Sequence, residues 1–214
     1  SFVPLNDNCE ISQLTLTNGS SEDKKLSVFS YVEWCLWNAD DDMKNFQRNL
    51  STGEVEVQDS TIYHKTEYRE RRNHYAIYSV NTKIDGFDTS RDAFLGAYRG
   101  ADSPEAVENG KCTNSMASGW SPIASHQINV DLAAGETKTF IFVLGYIENP
   151  EDEKWESYGV INKTRAKEML AKYQTDAQVE EAFAALQAYW KQLLARYTVA
   201  SACLLYTSPS PRDR

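Results

Sequence analysis

Between residues 38 and 49 the chain reads NADDDMKNFQRN, and Asn45, Gln47 and Arg48 flank Phe46 there. Two side-chain amides, a guanidinium and an aromatic ring within four residues can bind sugar hydroxyls, an anion and the apolar face of a sugar ring. By composition alone the same run also suits a solvated loop clipped to a sheet edge. Asp40, Asp41, Asp42 and Asp88 add carboxylates, but abundance does not single out a general acid. Residues 67–72 read EYRERR. Arg69, Arg71 and Arg72 there could hold carboxylates or a phosphate, or simply form a solvated charged face. His64, His74 and His126 have no partner four residues away and no cysteine neighbour, so no metal centre is expected. No glycine-rich phosphate loop, nucleophile elbow or Ser-His-Asp arrangement stands out.

The elements that must carry these groups read mainly as strands. In residues 26–36, Leu26, Val28, Ser30, Val32 and Trp34 alternate with Phe29, Tyr31, Glu33 and Cys35. Both sets hold large apolar groups, which predicts a strand buried on both faces. Residues 10–18 alternate with Leu14 and Leu16 on one side. The Asn-Gly turn after them predicts an antiparallel pair with the 26–36 strand. Two short strands flank Gln58-Asp59, and residues 74–80 form another two-faced strand. Asp88 or Thr89 could cap a helical turn over 91–96, and Pro104 suits the first position of a turn ending at Glu108. The stretch 99–119 is long and irregular. Residues 123–132 alternate cleanly, residues 133–136 read as a hairpin turn, and 137–146 return as the partner strand. Seven or eight strands with little helix make an antiparallel β-sandwich. After Asn149-Pro150 the acidic run 151–156 reads as a linker. Asn162 can then cap a helix to about Tyr173, and Thr175 with Gln178 forms a capping box. The following helix places Val179, Phe183, Leu186, Trp190 and Leu193 on one stripe that needs a partner surface.

The 214 residues, 41% of them apolar, suffice for one or two domains. A net charge of −9 and a pI near 4.9 exclude a counterion-displacing nucleic-acid surface. No apolar run is long enough to span a membrane, and no signal peptide opens the chain. Cysteines 9, 35, 112 and 203 show no CxxC pairing; this fits buried thiols in a reduced, cytoplasmic protein. Residues 201–214 read as a translated sequencing-adapter tail and are set aside.

Five stretches carry a resemblance. They are VEWCLWN at 32–38 followed by NFQRN at 45–49, HKTEYRERRNHY at 64–75, GFDTSRDAFLG at 86–96, GKCTNS at 110–115 and GWSPIASHQ at 119–127. In that order they resemble the cellobiose phosphorylases of glycoside hydrolase family 94, from about residue 4 to about residue 199. The resemblance implies a supersandwich of the galactose-mutarotase-like kind over residues 1–150. Two linker α-helices over 151–200 would lead toward a missing (α/α)6 barrel. It implies inverting phosphorolysis of a β-linked glucose disaccharide, giving α-glucose 1-phosphate and glucose. Inorganic phosphate is then a substrate, and no cofactor is expected. The family's general acid lies in the barrel, so the resemblance assigns no catalytic residue here and implies that the chain alone is inactive. It implies a homodimer in which Asn45, Phe46, Gln47 and Arg48 help close the neighbouring subunit's active-site mouth. Two other readings are a free-standing carbohydrate-binding β-sandwich and a family member acting on cellodextrins or chitobiose.

Overall fold

The computed structural model describes residues 1–34, 53–66, 73–117, 119 and 122–196. Two antiparallel sheets face each other. The first has the order β1-β9-β6-β5-β4, with β1 at Cys9–Thr17, β4 at Gly53–Gln58, β5 at Thr61–Thr66, β6 at His74–Val80 and β9 at Thr137–Glu148. In the second, the long strand β8 (Pro122–Leu132) pairs on one side with β2 (Lys24–Phe29) and β3 (Val32–Glu33). On its other side it pairs with β7 (Gly86–Ser90). The mainly β, antiparallel sandwich expected from the alternation is what forms.

Period-two alternation builds two cores on the first sheet. Phe140, Phe142, Tyr78, Val80 and Ile62 meet Ala124, Ile128, Val130 and Leu132 of β8 between the sheets. The opposite face, with Ile11, Tyr63, Tyr75, Ile77, Ile141 and Val143, is covered by a helical layer. That layer comprises α3 (Thr164–Leu170), a 3-10 turn at Ala171–Tyr173 and the start of α4 (Asp176–Leu194). Gly145 sits under α3, where a Cβ would lie 2.5 Å from Met169 Cε. Behind the second sheet, α1 (Arg91–Leu95) and α2 (Glu105–Glu108) bury Phe94, Leu95 and Ala106 against Ile123, Phe29 and Tyr31.

Several expectations change on folding. β1 and β2 do not pair, and neither do β8 and β9: each couple is split between the two sheets. The turns read as hairpins are corners, and they lie side by side. Asn18 N donates to Glu136 O at 2.9 Å, Gly135 N to Asn18 O at 3.0 Å, and Asn18 Nδ2 to Leu132 O and Ala133 O. The pairing β1 gains instead, nine residues against β9, is longer than any a hairpin with β2 would give. The β2–β3 strand keeps the predicted parity, with Val28, Val32 and Trp34 toward one core and Phe29 and Tyr31 toward the other. It is not doubly buried: among the described residues it runs along an edge, and Leu26 is 44% exposed. Neither Asp88 nor Thr89 caps α1: both lie in β7, and Ser90 holds the N-cap position without a side-chain bond. Pro104 is the residue before α2 rather than its first. Lys163 rather than Asn162 holds the N-cap position of α3, although Asn162 Oδ1 accepts from Thr164 N at 3.0 Å, and the Thr175–Gln178 capping box forms.

The acidic run after Pro150 folds onto the sheet. Residues 151–153 form a 3-10 turn, and β10 (Trp155–Ser157) pairs with β11 (Val160–Ile161). Lys65 and Lys163, whose side chains are 7% and 4% exposed, converge on Glu56 at 3.0 and 2.6 Å. Ile161 N also donates to that carboxylate at 3.0 Å, and Lys65 further bonds Gly159 O. Two buried cations around one carboxylate thus fasten the hairpin and the entry to α3 onto β4 and β5. Among the described residues no helix is long and apolar enough to cross a membrane.

Candidate functional site

The described residues of the quoted stretches, 32–34, 64–66, 73–75, 86–96, 110–115 and 122–127, are far apart in sequence and are brought together at one end of the sandwich. Register sets a row across the first sheet: Tyr146 opposite Ala76, Ala76 opposite His64, His64 opposite Val55. Trp34, the residue after β3, stacks on His64 with ring centroids 5.3 Å apart and an interplanar angle of 15°. His74 lies 5.7 Å from the Tyr146 ring. Burial, with His74 nearby, pushes the His64 imidazole down to about 3. It is neutral at physiological pH and serves as a packing surface rather than an acid or base.

Glu33, the β3 residue before Trp34, accepts from Tyr31 OH at 2.7 Å and from Arg91 Nε at 3.1 Å. The ion pair ties β3 to the first residue of α1. Burial and the Glu33 carboxylate raise the Tyr31 phenol to about 12, and the same carboxylate raises Arg91.

Behind this row Asp88 is fully buried. Its Oδ1 accepts from Thr113 Oγ1 at 2.6 Å, Ser115 Oγ at 2.7 Å, Ser115 N at 3.0 Å and Thr113 N at 3.1 Å. Thr89 Oγ1 donates to Ser115 O and accepts from Ala117 N. Gln127 accepts from Cys112 N at 2.8 Å and donates to Gly110 O. A Cβ on Gly86 would lie 2.9 Å from that Gln127 Oε1. So the GFDTS and GKCTNS stretches bind each other through polar side chains, and this orders the irregular segment. A carboxylate so saturated with donors positions backbone and is not poised to protonate a leaving group. Burial also pushes the Cys112 and Cys9 thiols up to about 12, which makes both inert.

Next to the row lies a cavity of about 530 Å³. Val32, Trp34, Ala76 and Leu144 give it an apolar wall, and Glu10 and Asn8 reach its rim. Trp34 Nε1, on this wall, and His64 Nδ1, in the ring stacked on Trp34, are buried without a hydrogen-bond partner among the described residues.

Asn45, Phe46, Gln47 and Arg48 lie outside the described residues, as do Asp40, Asp41, Asp42, Arg69, Arg71 and Arg72. The described residues that flank those segments are at this same end. Trp34 follows β3, Gly53 pairs with Thr66 at the tip of β4–β5, and Asn73 donates to Asn149 O at 2.7 Å. Among the described residues no cluster of His, Cys, Asp or Glu could hold a metal ion. Sequence reasoning passed over the Asp88 network. Its signal was available: a buried-strand Asp-Thr facing a Thr-x-Ser about 25 residues on, donors matched to an acceptor.

The family profile described as glycosyl hydrolase 94, supersandwich domain, matches residues 1–176. An N,N'-diacetylchitobiose phosphorylase of Vibrio proteolyticus is 29% identical over 201 residues, 94% of this chain and 23% of that protein. The enzyme of the same name from Vibrio furnissii is 28% identical over 202 residues, with the same two coverages. A solabiose phosphorylase of Paenibacillus borealis is 27% identical over 194 residues, 87% of this chain and 23% of that protein. The chain therefore spans about a quarter of the length of these relatives. With the profile covering both sheets and the helical layer as far as the first residue of α4, the chain belongs to the glycosyl hydrolase 94 supersandwich-domain family.

Proposed function

We propose that the chain is the sandwich part of an inverting disaccharide phosphorylase acting in the cytoplasm. That enzyme would convert cellobiose and phosphate to α-glucose 1-phosphate and glucose. The observation that carries this reading is the family match over residues 1–176, together with relatives named as disaccharide phosphorylases. In an inverting transfer, phosphate attacks one face of the sugar while a general acid protonates the leaving oxygen on the other. The described carboxylates support a scaffold role: Asp88 is spent on backbone donors and Glu56 on two lysines. The general acid is then supplied by the remaining three quarters of the enzyme, and the chain alone is inactive.

The convergence of the segment flanks on one end of the sandwich supports a second component. Asn45, Phe46, Gln47 and Arg48 would close the mouth of the active site across a homodimer. In the assembled enzyme, Gln47→Ala and Arg48→Ala are expected to raise KM for the disaccharide about tenfold, roughly the worth of one charge-assisted hydrogen bond. Unchanged kinetics in both variants would remove this component.

The Vibrio relatives favour a second substrate reading, chitobiose in place of cellobiose. The test is to recover the surrounding gene and assay both disaccharides with phosphate. Glucose 1-phosphate from cellobiose supports the first reading, N-acetylglucosamine 1-phosphate from chitobiose the second. Phosphate-independent hydrolysis, or no product, overturns both.

A further inference from the structure

The two sheets do not match in width. Among the described residues the first presents five strands, whereas the second is three strands wide, because β2 and β3 lie end to end along one side of β8. Their register against β8 is unbroken from Lys24 opposite Leu132 to Glu33 opposite Ile123. Among the described residues the other side of β2–β3 is a sheet edge. Ser30 N donates to His126 O. By antiparallel alternation the N–H groups of Leu26 and Val28 also point at β8, and those of Lys25, Ser27 and Phe29 point away from it. This edge is where the core is thin. Leu14, Leu16, Val28, Val32, Trp34 and Leu144 are only partly buried, Leu26 is exposed, and the 530 Å³ cavity opens between β3 and the β1–β9–β6 face.

We infer that the free edge of β2–β3 is the docking site of one more β-strand, supplied by a part of the same polypeptide outside these 214 residues. A strand added there would lie over β1, satisfy the outward N–H groups and roof the cavity. The surroundings state its chemistry. Alternate side chains pointing inward must be apolar and large where they meet Val32, Leu144 and Trp34. One near the Glu10 rim must be a hydrogen-bond donor or a cation. A long, partly apolar edge left open is an aggregation template, and its remedy is pairing or cover. The inference rests on the chain being part of a longer protein, as its one-quarter span of the relatives indicates. It does not depend on which disaccharide is cleaved.

The test compares amide hydrogen exchange in this chain and in the longer protein expressed from the recovered gene. In the chain alone, Lys25, Ser27 and Phe29 should exchange fast while Leu26, Val28 and Ser30 are protected. In the longer protein the first set should slow by about a hundredfold or more. Ser27→Pro provides an independent readout. Compared with Ser27→Ala, which likewise lacks the Ser27 Oγ bond to Asn129 Oδ1, it should leave the thermal midpoint of this chain nearly unchanged, since the lost N–H has no partner among the described residues, and lower that of the longer protein by several degrees. Leu26→Pro, whose N–H faces β8, should destabilise both. Fast exchange at Lys25, Ser27 and Phe29 in the longer protein overturns the inference. So does protection of those amides in this chain accompanied by a dimer in solution, since the edge would then belong to a second copy.

Discussion

Asp88 and Glu56 are both carboxylates enclosed by donors, and the enclosure decides what each can do. Four donors from Thr113 and Ser115 meet one oxygen of Asp88. Asp88→Ala leaves those donors buried and unmatched, so a loss of about 3–5 kcal/mol is expected in urea unfolding. Asp88→Asn can keep the accepting oxygen but turns an N–H₂ toward Thr113 N, so it should lose less, about 1–3 kcal/mol. If Asp88 were instead the acid of the reaction, the Asn variant would keep its stability and lose its rate in the assembled enzyme. Glu56 is offset by Lys163, Ile161 N and Lys65, and these bring its carboxyl below the usual range against the opposing effect of burial. Lys163→Met leaves one cation for the carboxylate and is expected to cost about 2–4 kcal/mol, with little dependence on salt because the pair is buried. Limited proteolysis should then cut first between residues 151 and 161, the hairpin that this cluster holds down.

At the scale of elements, alternation alone placed the strands. Leu14 with Leu16, His74 to Val80 and the 123–132 stretch each point to the core their parity predicts. Pairing was not legible. The Asn18-Gly19 and Ala133–Glu136 turns have the composition of hairpins, and only the competition from more distant partners makes them corners: β9 gains β1 and β6, and β8 gains β2 and β7. Such competition is a property of the whole chain, invisible in a four-residue window. The two-sided burial expected for the 26–36 strand fails in its described part, 26–34, for a related reason, since parity shows which face a side chain takes but not whether a strand is an edge. The candidate site residues Asn45, Phe46, Gln47 and Arg48 lie outside the described residues; of the quoted stretches, GFDTS and GKCTNS are tied together by the Asp88 bonds and HKT is set by its register with β6. Gly145 gives this scale a prediction. Alanine there would push Met169 and Ile77, whose atoms lie 2.5 and 3.0 Å from the new Cβ. The expected loss is about 1–3 kcal/mol, read as a lower urea midpoint with an unchanged m-value.

For the whole molecule, the buried histidines set the acid limit of stability. Burial holds His64 and His126 near 3 in the folded chain, against about 6.5 when unfolded. Above 6.5 both states carry neutral rings and neither contributes a pH dependence. Below it the unfolded chain takes up protons that the folded chain refuses, so stability falls as pH drops from 6.5 toward 3. Each histidine adds a slope of up to about 1.4 kcal/mol per pH unit. Glu56, lowered on folding, adds its own loss only below the ordinary carboxylate range, so the decline should begin with the histidines and steepen below about 4.5. By pH 5 the two rings together account for up to about 4 kcal/mol, a large part of what a domain of this size has. His126 faces Tyr78 and Phe142 with stacked rings, Ser30 Oγ stands 3.4 Å from its Nδ1, and its Nε2 is buried without a partner among the described residues. His126→Phe should therefore be close to neutral at pH 7.5 and halve the slope between 6.5 and 5, measured by urea unfolding across that range. An unaltered slope in this variant would mean that His126 is protonated inside the fold, which the aromatic stack around it opposes.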